Sequence, residues 1–279
     1  MNNNLRLALT WFLLHSVVSN FNDILMKFLG KNISFWQVSF LRFSFAFIIL
    51  IPFVFRASIK TTKLMPQLLR SLLLFIGIVS WCYGLQGVAL SVATLITFML
   101  PGIVLILARV MLKEKVPLSR YIVTLVGLLG IAISIGPTKN TFNPHSLILL
   151  LSTFTFAFLD VLNKKLIIEH ETLFSMVFYS SLGTMILSSY PALSVWVPLT
   201  LKDYGLFFLL GLGANLILYF SLKAYELVDV SRLAPFRYLE LVVSLLMGYL
   251  VFGEVPLSHE WCGALVVVPS MIYLSYSES

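Results

Sequence analysis

The sequence predicts an all-α polytopic membrane protein whose ten transmembrane helices form two inverted five-helix repeats. The first observation behind this prediction is composition, since 59% of the 279 residues are hydrophobic and 11% are charged. Soluble domains are about 45–50% apolar and about 25% charged, so the composition excludes a soluble globule. The second observation is a series of long apolar runs, and the third is a pair of motifs that recur half a chain apart.

The apolar runs have the length of membrane-spanning helices. A helix needs about 20 residues to cross the hydrocarbon core, and lipid cannot satisfy the backbone groups of irregular chain. The connectors between the runs are short and carry Pro, Gly, Asn and Lys, as at 136–145. The predicted spans are 7–28, 35–55, 68–86, 91–112, 119–136, 146–165, 173–195, 204–223, 231–252 and 259–276.

The basic residues favour one side of the membrane. If the spans alternate in direction, thirteen Lys and Arg residues fall on one side and four on the other. Because cytoplasmic loops carry the excess of Lys and Arg, we predict that both termini are cytoplasmic. The net charge of +7 therefore reflects topology, and we expect no nucleic-acid partner.

Two short motifs each occur twice, in the same order in both halves of the chain. They are KVPLS and EVPLS at 115–119 and 254–258, and DILMK and DVLNK at 23–27 and 160–164. Their offsets of 139 and 137 residues predict a first repeat at 1–139 and a second at 140–279, which together form one transmembrane domain. Since each repeat has an odd number of spans, the second copy must lie inverted. Inverted repeats are typical of alternating-access carriers, whose substrate site lies between the repeats near the midplane.

Five stretches carry a resemblance to a known family. They are WFLLHSVVSNFNDILMKFLG, VSFLRFSF, SWCYGL, AFLDVLNKKLI and APFRYLELVVSLLMGYLVFGE. They resemble the drug/metabolite transporter superfamily in its EamA-like branch, and within it the S-adenosylmethionine uptake transporters of intracellular bacteria. The resemblance implies a multi-pass carrier of the bacterial inner membrane that imports S-adenosylmethionine without a cofactor. It leaves open an exchange for S-adenosylhomocysteine.

Other functions remain as alternatives. The main one is an exporter of the same superfamily for amino acids, other small metabolites or cationic drugs, although an efflux pump for lipophilic cations has little use for two intramembrane arginines. An enzyme is not expected, because no catalytic cluster is evident and the four histidines lack metal-ligand spacing. The chain could be a monomer or a homodimer, since the face with Gly127 and Gly130 could pack closely on another helix.

Arg237 and Glu240 lie inside the ninth predicted span. A central charge costs about 2.5–3.5 kcal/mol on insertion scales, and such residues usually face a cavity or a partner. Arg237 lies six residues into the span, Glu240 lies about one turn deeper, and residues at i and i+3 share a helix face. We expect the two side chains to line a wet site near the midplane, with a structural ion pair between them as the alternative.

S-adenosylmethionine needs a cation for its carboxylate, an anion or aromatic box for its ammonium and sulfonium, and a flat surface for adenine. Arg237 and Arg42 are the candidates for the carboxylate, because arginine forms a bidentate fork that lysine cannot. The candidate anions are Glu240, Asp23 and Asp160. The candidate aromatic residues are Trp81, Tyr83, Tyr179, Tyr238 and Phe98, although aromatic residues in spans more often pack or face lipid.

Each repeated DxxxK segment places an acid and a base one turn apart on one helix face. By the predicted topology, Asp23 and Lys27 lie toward the outer mouth, and Asp160 and Lys164 lie toward the inner mouth. Matched charges at opposite mouths would suit two gates. The alternative for the lysines is snorkelling from helix ends.

Three further residues accompany these charges. Asn22 and Asn163 could bind the amine or purine edges of the ligand, or simply join helices. With the 139-residue offset, Glu240 falls opposite Pro101, and a proline within a span permits a kink. The second copy thus has a charge where the first has a hinge, which predicts an asymmetric cavity.

Overall fold

The computed structural model describes residues 3–57, 59–88, 93, 96–135, 144–243, 246 and 258–277. Within these ranges all regular structure is helical and no strand occurs. The helices are α1 Asn3–Leu29, α2 Phe35–Val54, α3 Leu64–Gly87, α4 Leu100–Leu107, α5 Leu118–Ile135, α6 Pro144–Ile168, α7 Leu173–Ser194, α8 Leu201–Leu227, α9 Val230–Leu233 and α10 Ser258–Ser277. Most of the EVPLS motif and parts of the predicted spans at 91–112 and 231–252 lie outside the described residues.

Several of these helices have the length and apolar composition of membrane spans. Among the described residues, α2, α3, α6, α7 and α8 are long and apolar enough to cross a membrane. Shorter apolar helices cover Leu100–Leu112, Leu118–Ile133 and Trp261–Leu274. The chain is therefore a multi-pass, all-helical membrane protein, and ten spans stay a prediction.

Local sequence fixes where two of the helices begin. At the start of α8, the Thr200 side chain accepts a hydrogen bond from the Asp203 N–H, and the Asp203 carboxylate accepts one from the Thr200 N–H. This capping box satisfies backbone donors that the first helical turn leaves unpaired. Thr172 caps α7 in the same way by accepting from the Ser175 N–H over 3.2 Å.

The helices of the first half pack mainly against helices of the second half. The six most extensive pairings are α1–α8, α3–α6, α5–α10, α2–α7, α2–α8 and α3–α7. In two five-helix repeats, each helix corresponds to the helix five places further on or back, so α1 corresponds to α6 and α3 to α8. Under this correspondence the pairing α1–α8 becomes α6–α3, and the pairing α2–α8 becomes α7–α3. The pairings α2–α7 and α5–α10 map onto themselves. The main packing of the described helices is therefore unchanged by the exchange, while the repeat boundaries at 1–139 and 140–279 stay a prediction.

The fourth and ninth segments are both interrupted helices. Phe98 and Met99 form a turn before α4, and Pro101 lies in the first helical turn, where a proline breaks no hydrogen bond. Pro101 therefore starts a helix and does not kink a continuous one. The four-residue α9 passes into the 3-10 helix Ala234–Tyr238, with Pro235 near its start. Neither interruption was expected, because hydropathy does not report backbone geometry.

The glycine face of α5 is used within the chain. A Cβ at Gly127 would collide with the Tyr238 ring, and a Cβ at Gly130 would lie 2.9 Å from Val267 of α10. These glycines let the ninth segment and α10 approach α5 closely. This face is therefore covered by the same chain and is not available to a second copy.

The buried apolar residues form two clusters. One is built largely from α2, α3, α7 and α8, and the other from α4, α5, α9, α10 and the start of α1. Along α1, Phe12 belongs to the second cluster and Leu25 to the first. Between these two residues, α1 presents most of its polar side chains, which places a polar zone between the two apolar cores.

Candidate functional site

Arg237 forms a salt bridge with Asp160 of α6, and it also donates a hydrogen bond to the hydroxyl of Tyr225 over 3.1 Å. Its guanidinium carbon lies 5.5 Å from the centre of the Phe12 ring, within the range of a cation–π contact. The Arg237 and Asp160 side chains are only 12% and 11% exposed. We call Phe12, Asp160, Tyr225 and Arg237 the Arg237 cluster.

The partner of Arg237 corrects one expectation. The i, i+3 spacing predicted that Arg237 and Glu240 share a face, with an ion pair between them as the alternative. That argument considers one helix only, so it could not anticipate a carboxylate from α6. The 3-10 geometry ends at Tyr238, and Glu240 contacts α1 instead.

Glu240 meets two polar residues of α1. Ser16 donates a hydrogen bond to Glu240 Oε1 over 3.4 Å, and His15 Nε2 lies 3.9 Å from the same oxygen. His15 Nδ1 lies 3.0 Å from the carbonyl oxygen of Ile217, so this imidazole also joins α1 to α8. We call His15, Ser16 and Glu240 the Glu240 cluster. Its glutamate side chain keeps 18% of its surface exposed.

A third group lies between α1, α2 and α3. The Trp81 indole donates to Asp23 Oδ1 over 3.0 Å, and Arg42 Nη1 donates to the Met26 sulfur over 2.9 Å. Arg42 is 5% exposed, and its Nε has no hydrogen-bond partner among the described residues. We call Asp23, Met26, Arg42 and Trp81 the Arg42 cluster.

The three clusters form one electrostatic series. The Asp23 carboxylate interacts with the charges of both Arg42 and Glu240. The Glu240 carboxylate in turn interacts with Arg237 and Asp160. The five intramembrane charges that the sequence singled out for the ligand are therefore electrostatically coupled, and Arg237 and Asp160 are in direct contact. Such a series can bind a ligand that carries both signs, because each buried charge needs an opposite charge or a hydrogen bond.

The five candidate aromatic residues do not converge. Trp81 alone contacts one of the candidate charges, Asp23. Tyr238 and Phe98 are 0% and 3% exposed and pack on each other, with ring centroids 5.6 Å apart. Tyr83 stacks on His145, and the Tyr179 ring packs edge-on against Phe178. The contacts of Tyr238 and Phe98 are those of residues packed in the core, the alternative to a role in stacking on the ligand.

The lysines of the two DxxxK segments differ. Lys164 is 8% exposed, and its ammonium donates to the carbonyl oxygens of Tyr225 and Val228 over 2.8 and 2.9 Å. Lys164 therefore caps the end of α8. Its ammonium is bound inside the protein, so it neither pairs with Asp160 nor snorkels to the membrane surface. Lys27 is half-buried in the last turn of α1. Its role as a gate stays a prediction.

The two asparagines join helices. The Asn22 amide donates to the carbonyl oxygen of Leu210 over 3.3 Å, which links α1 to α8. Asn163 accepts a hydrogen bond from Arg70 Nε over 2.6 Å, which links α6 to α3. Arg70 is one of the thirteen bases that the predicted topology places on the cytoplasmic side, and it is fully buried in α3. It also donates to Gln67 and to the Met176 carbonyl oxygen, so it is a structural residue.

Sequence reasoning missed four residues that complete these clusters. Tyr225 and Phe12 contact Arg237, while Ser16 contacts Glu240 and Met26 contacts Arg42. Ser16 follows His15, a histidine inside the first predicted span, which is a weak signal. The others are ordinary apolar or aromatic positions of a span, and no pattern in one sequence separates them from packing residues.

Comparison with known proteins gives matches over nearly the whole chain. The model of the EamA-like transporter family matches twice, at residues 6–136 and 144–276. A protein named S-adenosylmethionine uptake transporter from Rickettsia bellii is 40% identical over 98% of this chain and 94% of its own length. The protein of the same name from Rickettsia prowazekii is 39% identical over 97% and 93%.

Two further matches are more distant. A protein named riboflavin transporter from Vibrio cholerae is 30% identical over 87% of this chain and 83% of its own length. A crystal structure with 16% identity superposes over the full length of both chains with a TM-score of 0.79, which shows that the fold is shared.

Proposed function

Since the chain belongs to the EamA-like transporter family, we propose that it imports S-adenosylmethionine across the bacterial inner membrane by alternating access. Support comes from the Rickettsia relatives, which carry that substrate in their names and match nearly end to end. The structural observation behind the proposal is the series of buried and partly buried charges Arg42, Asp23, Glu240, Arg237 and Asp160. S-adenosylmethionine carries one carboxylate and two onium groups, so it offers both signs that this series can bind.

The proposal includes a topology. Ten spans in two inverted repeats would place both termini in the cytoplasm, with Asp23 nearer the outer mouth and Asp160 nearer the inner mouth. The excess of bases in the connectors supports this orientation. S-adenosylhomocysteine is the proposed exchange partner, because it keeps the carboxylate, the ammonium and the adenine of the substrate.

Counterflow in proteoliposomes tests the function. Vesicles with the purified protein and internal unlabelled S-adenosylmethionine should accumulate labelled S-adenosylmethionine, while protein-free vesicles should not. External S-adenosylhomocysteine should compete, and methionine, adenosine and riboflavin should compete far less because each offers fewer matching groups. Equal competition by methionine would point to the alternative, an amino-acid carrier, and an absence of counterflow would refute the proposal.

A matched pair of variants links transport to the site. Glu240→Gln removes a carboxylate from a side chain that is 18% exposed, and Glu226→Gln removes one from a side chain that is 45% exposed. We expect transport to fall strongly in the first variant and to stay near the wild-type rate in the second. Equal transport rates in the two variants would show that the Glu240 carboxylate is not needed for transport.

A further inference from the structure

Arg42, Arg70 and Arg237 differ in how completely their charge is balanced. Arg237 has a carboxylate partner. Arg70 donates three hydrogen bonds to oxygen atoms, although its Nη2 has no partner among the described residues. Arg42 donates to the sulfur of Met26, while its Nε has no partner among the described residues. A thioether is a weak acceptor, and a buried charge without a strong partner is costly. Of the three arginines, Arg42 therefore has the weakest partners, and an added anion would give its guanidinium a strong one.

An acid interacts with the charge of Arg42 but forms no salt bridge with it among the described residues. Asp23 interacts with the Arg42 charge, but its carboxylate is held by the neutral indole of Trp81. Asp23 lies six residues before the end of α1 and Arg42 seven residues after the start of α2. At 1.5 Å per residue both lie about 10 Å from the connected ends of these helices. A guanidinium and a carboxylate thus stand at similar depth on two helices that are consecutive in the chain, and the Arg42 guanidinium reaches Met26 of α1.

We propose that the Arg42 cluster is the subsite for the α-amino-acid head group of the substrate. Arg42 binds the α-carboxylate through its fork of N–H donors, and Asp23 accepts from the α-ammonium. Trp81 fixes the orientation of the Asp23 carboxylate. This assignment rests on the proposed function and deepens it, because it names which part of the ligand each charge binds.

The position of Glu240 accounts for the rest of the ligand charge. Glu240 interacts electrostatically with Asp23, and its side chain keeps 18% of its surface exposed. The sulfonium is separated from the α-carbon by only two methylene groups. Glu240 is the acid of the series that is left to face this second cation.

The second repeat contains an internal counterpart of the proposed contact. Asp160 occupies the same position in its DxxxK segment as Asp23 does in the first repeat. Asp160 binds a cation that belongs to the chain, the guanidinium of Arg237. The carboxylate at this position of the repeat is therefore suited to binding a cation. In the first repeat, the ammonium of the ligand takes the corresponding place.

Two analogues that each lack one group of the amino-acid head test the subsite. Decarboxylated S-adenosylmethionine lacks only the carboxylate, and the deamino analogue lacks only the α-ammonium. The measurement is the inhibition constant of each analogue relative to that of S-adenosylmethionine in the proteoliposome assay. For the wild type, we expect each analogue to inhibit roughly ten- to a hundredfold more weakly, the effect of one charged hydrogen bond.

Substitutions assign each loss to a residue. Arg42→Gln should bring the ratio for the decarboxylated analogue close to one while the ratio for the deamino analogue persists. Asp23→Asn, which keeps an acceptor for Trp81, should do the reverse. Arg56→Gln, at an exposed arginine, is the control and should leave both ratios unchanged. Because the readout is a ratio, it does not depend on how much folded protein each variant yields.

The possible outcomes separate the two proposals. If the wild type transports S-adenosylmethionine but both ratios stay unchanged in Arg42→Gln and Asp23→Asn, the subsite is refuted and the transport function stands. If Arg42→Gln yields no folded protein, the ratio for the deamino analogue in Asp23→Asn decides the assignment. If the wild type does not transport S-adenosylmethionine, the proposed function fails and the subsite fails with it.

Discussion

The Tyr238 hydroxyl donates a hydrogen bond over 3.2 Å to the carbonyl oxygen of Phe98. Phe98 lies in the turn that precedes α4, and Tyr238 is the last residue of the 3-10 helix that follows α9. The contact thus joins two helix interruptions at corresponding places in the two halves of the chain. In carriers built from repeats, interrupted helices at corresponding positions mark the substrate site.

Replacing Tyr238 by Phe should weaken this junction. The ring and its packing remain, but the hydroxyl that binds the Phe98 carbonyl oxygen is lost, which costs about 1 kcal/mol for a buried hydrogen bond. We expect a lower thermal stability in detergent and slower counterflow. Tyr273→Phe is the control, because Tyr273 is 62% exposed on α10. Identical behaviour of the two variants would show that the junction has no role.

A double-mutant cycle should detect the salt bridge between Arg237 and Asp160. Removing one partner of a buried pair costs about 3–5 kcal/mol, because the other charge stays buried, while removing both is often tolerated. We expect Arg237→Met to be less destabilising in combination with Asp160→Asn than alone. The matched cycle with Glu240→Gln should show weaker coupling. Coupling is measured from thermal unfolding, and stronger coupling of Arg237 to Glu240 would refute the assignment of Asp160 as its partner.

Lys164 and Lys165 offer a matched pair of neighbouring lysines. Lys164→Met removes the ammonium that binds two carbonyl oxygens at the end of α8, and hydrogen bonds to charged groups contribute about 1.5–3 kcal/mol. Lys165 is exposed, so Lys165→Met should change stability little. Unfolding midpoints of the purified variants provide the comparison. Equal unfolding midpoints for the two variants would show that Lys164 does not stabilise the end of α8.

Two glycines of α8 should respond to alanine with opposite signs. At Gly213 a Cβ would collide with the amide of Asn22, which is fixed by its bond to Leu210, so overpacking should cost about 1–3 kcal/mol. At Gly205 nothing lies within 4 Å, and alanine in a helix is favoured by about 0.5–1 kcal/mol. Unfolding midpoints should therefore fall for Gly213→Ala and not for Gly205→Ala. A common response would contradict the close approach of α1 and α8.

The orientation can be tested with single cysteines in a Cys262→Ser background, in which the remaining Cys82 is buried. Thr62→Cys and Lys115→Cys lie in base-rich connectors that we predict to be cytoplasmic. An impermeant thiol reagent should leave both unlabelled in intact cells and label them in opened membranes. Lys202→Cys, on the opposite side, should react in intact cells. Labelling of Thr62→Cys or Lys115→Cys from outside would reverse the topology.

Apolar patterning predicted much of the helical framework. The predicted spans 35–55 and 173–195 match α2 and α7 to within one residue, because a long apolar run bounded by polar connectors leaves few alternatives to a helix. The interruptions before α4 and after α9 were not predictable. A proline can start a helix or kink one, and for Pro101 and Pro235 the choice depends on tertiary packing.

The candidate site was predictable in its membership but not in its pairings. Intramembrane charge alone singled out Arg42, Asp23 and Arg237, because such residues are costly unless they face partners or a cavity. Which acid neutralises which base depends on the distances between helices, and one sequence does not contain them. The assignment of Arg237 to Asp160 follows from the packing of α6 beside the ninth segment.

The unequal surroundings of Asp23 and Asp160 have a thermodynamic consequence for transport. A carrier without an energy source can only equalise the electrochemical potential of its substrate on the two sides, whatever the shape of its site. Binding energy that differs between conformations can shift only the populations of those conformations. The asymmetry therefore changes the concentration at which each face becomes half-saturated, and any accumulation inside the cell must be driven by the membrane potential or by a gradient of an exchanged solute or ion.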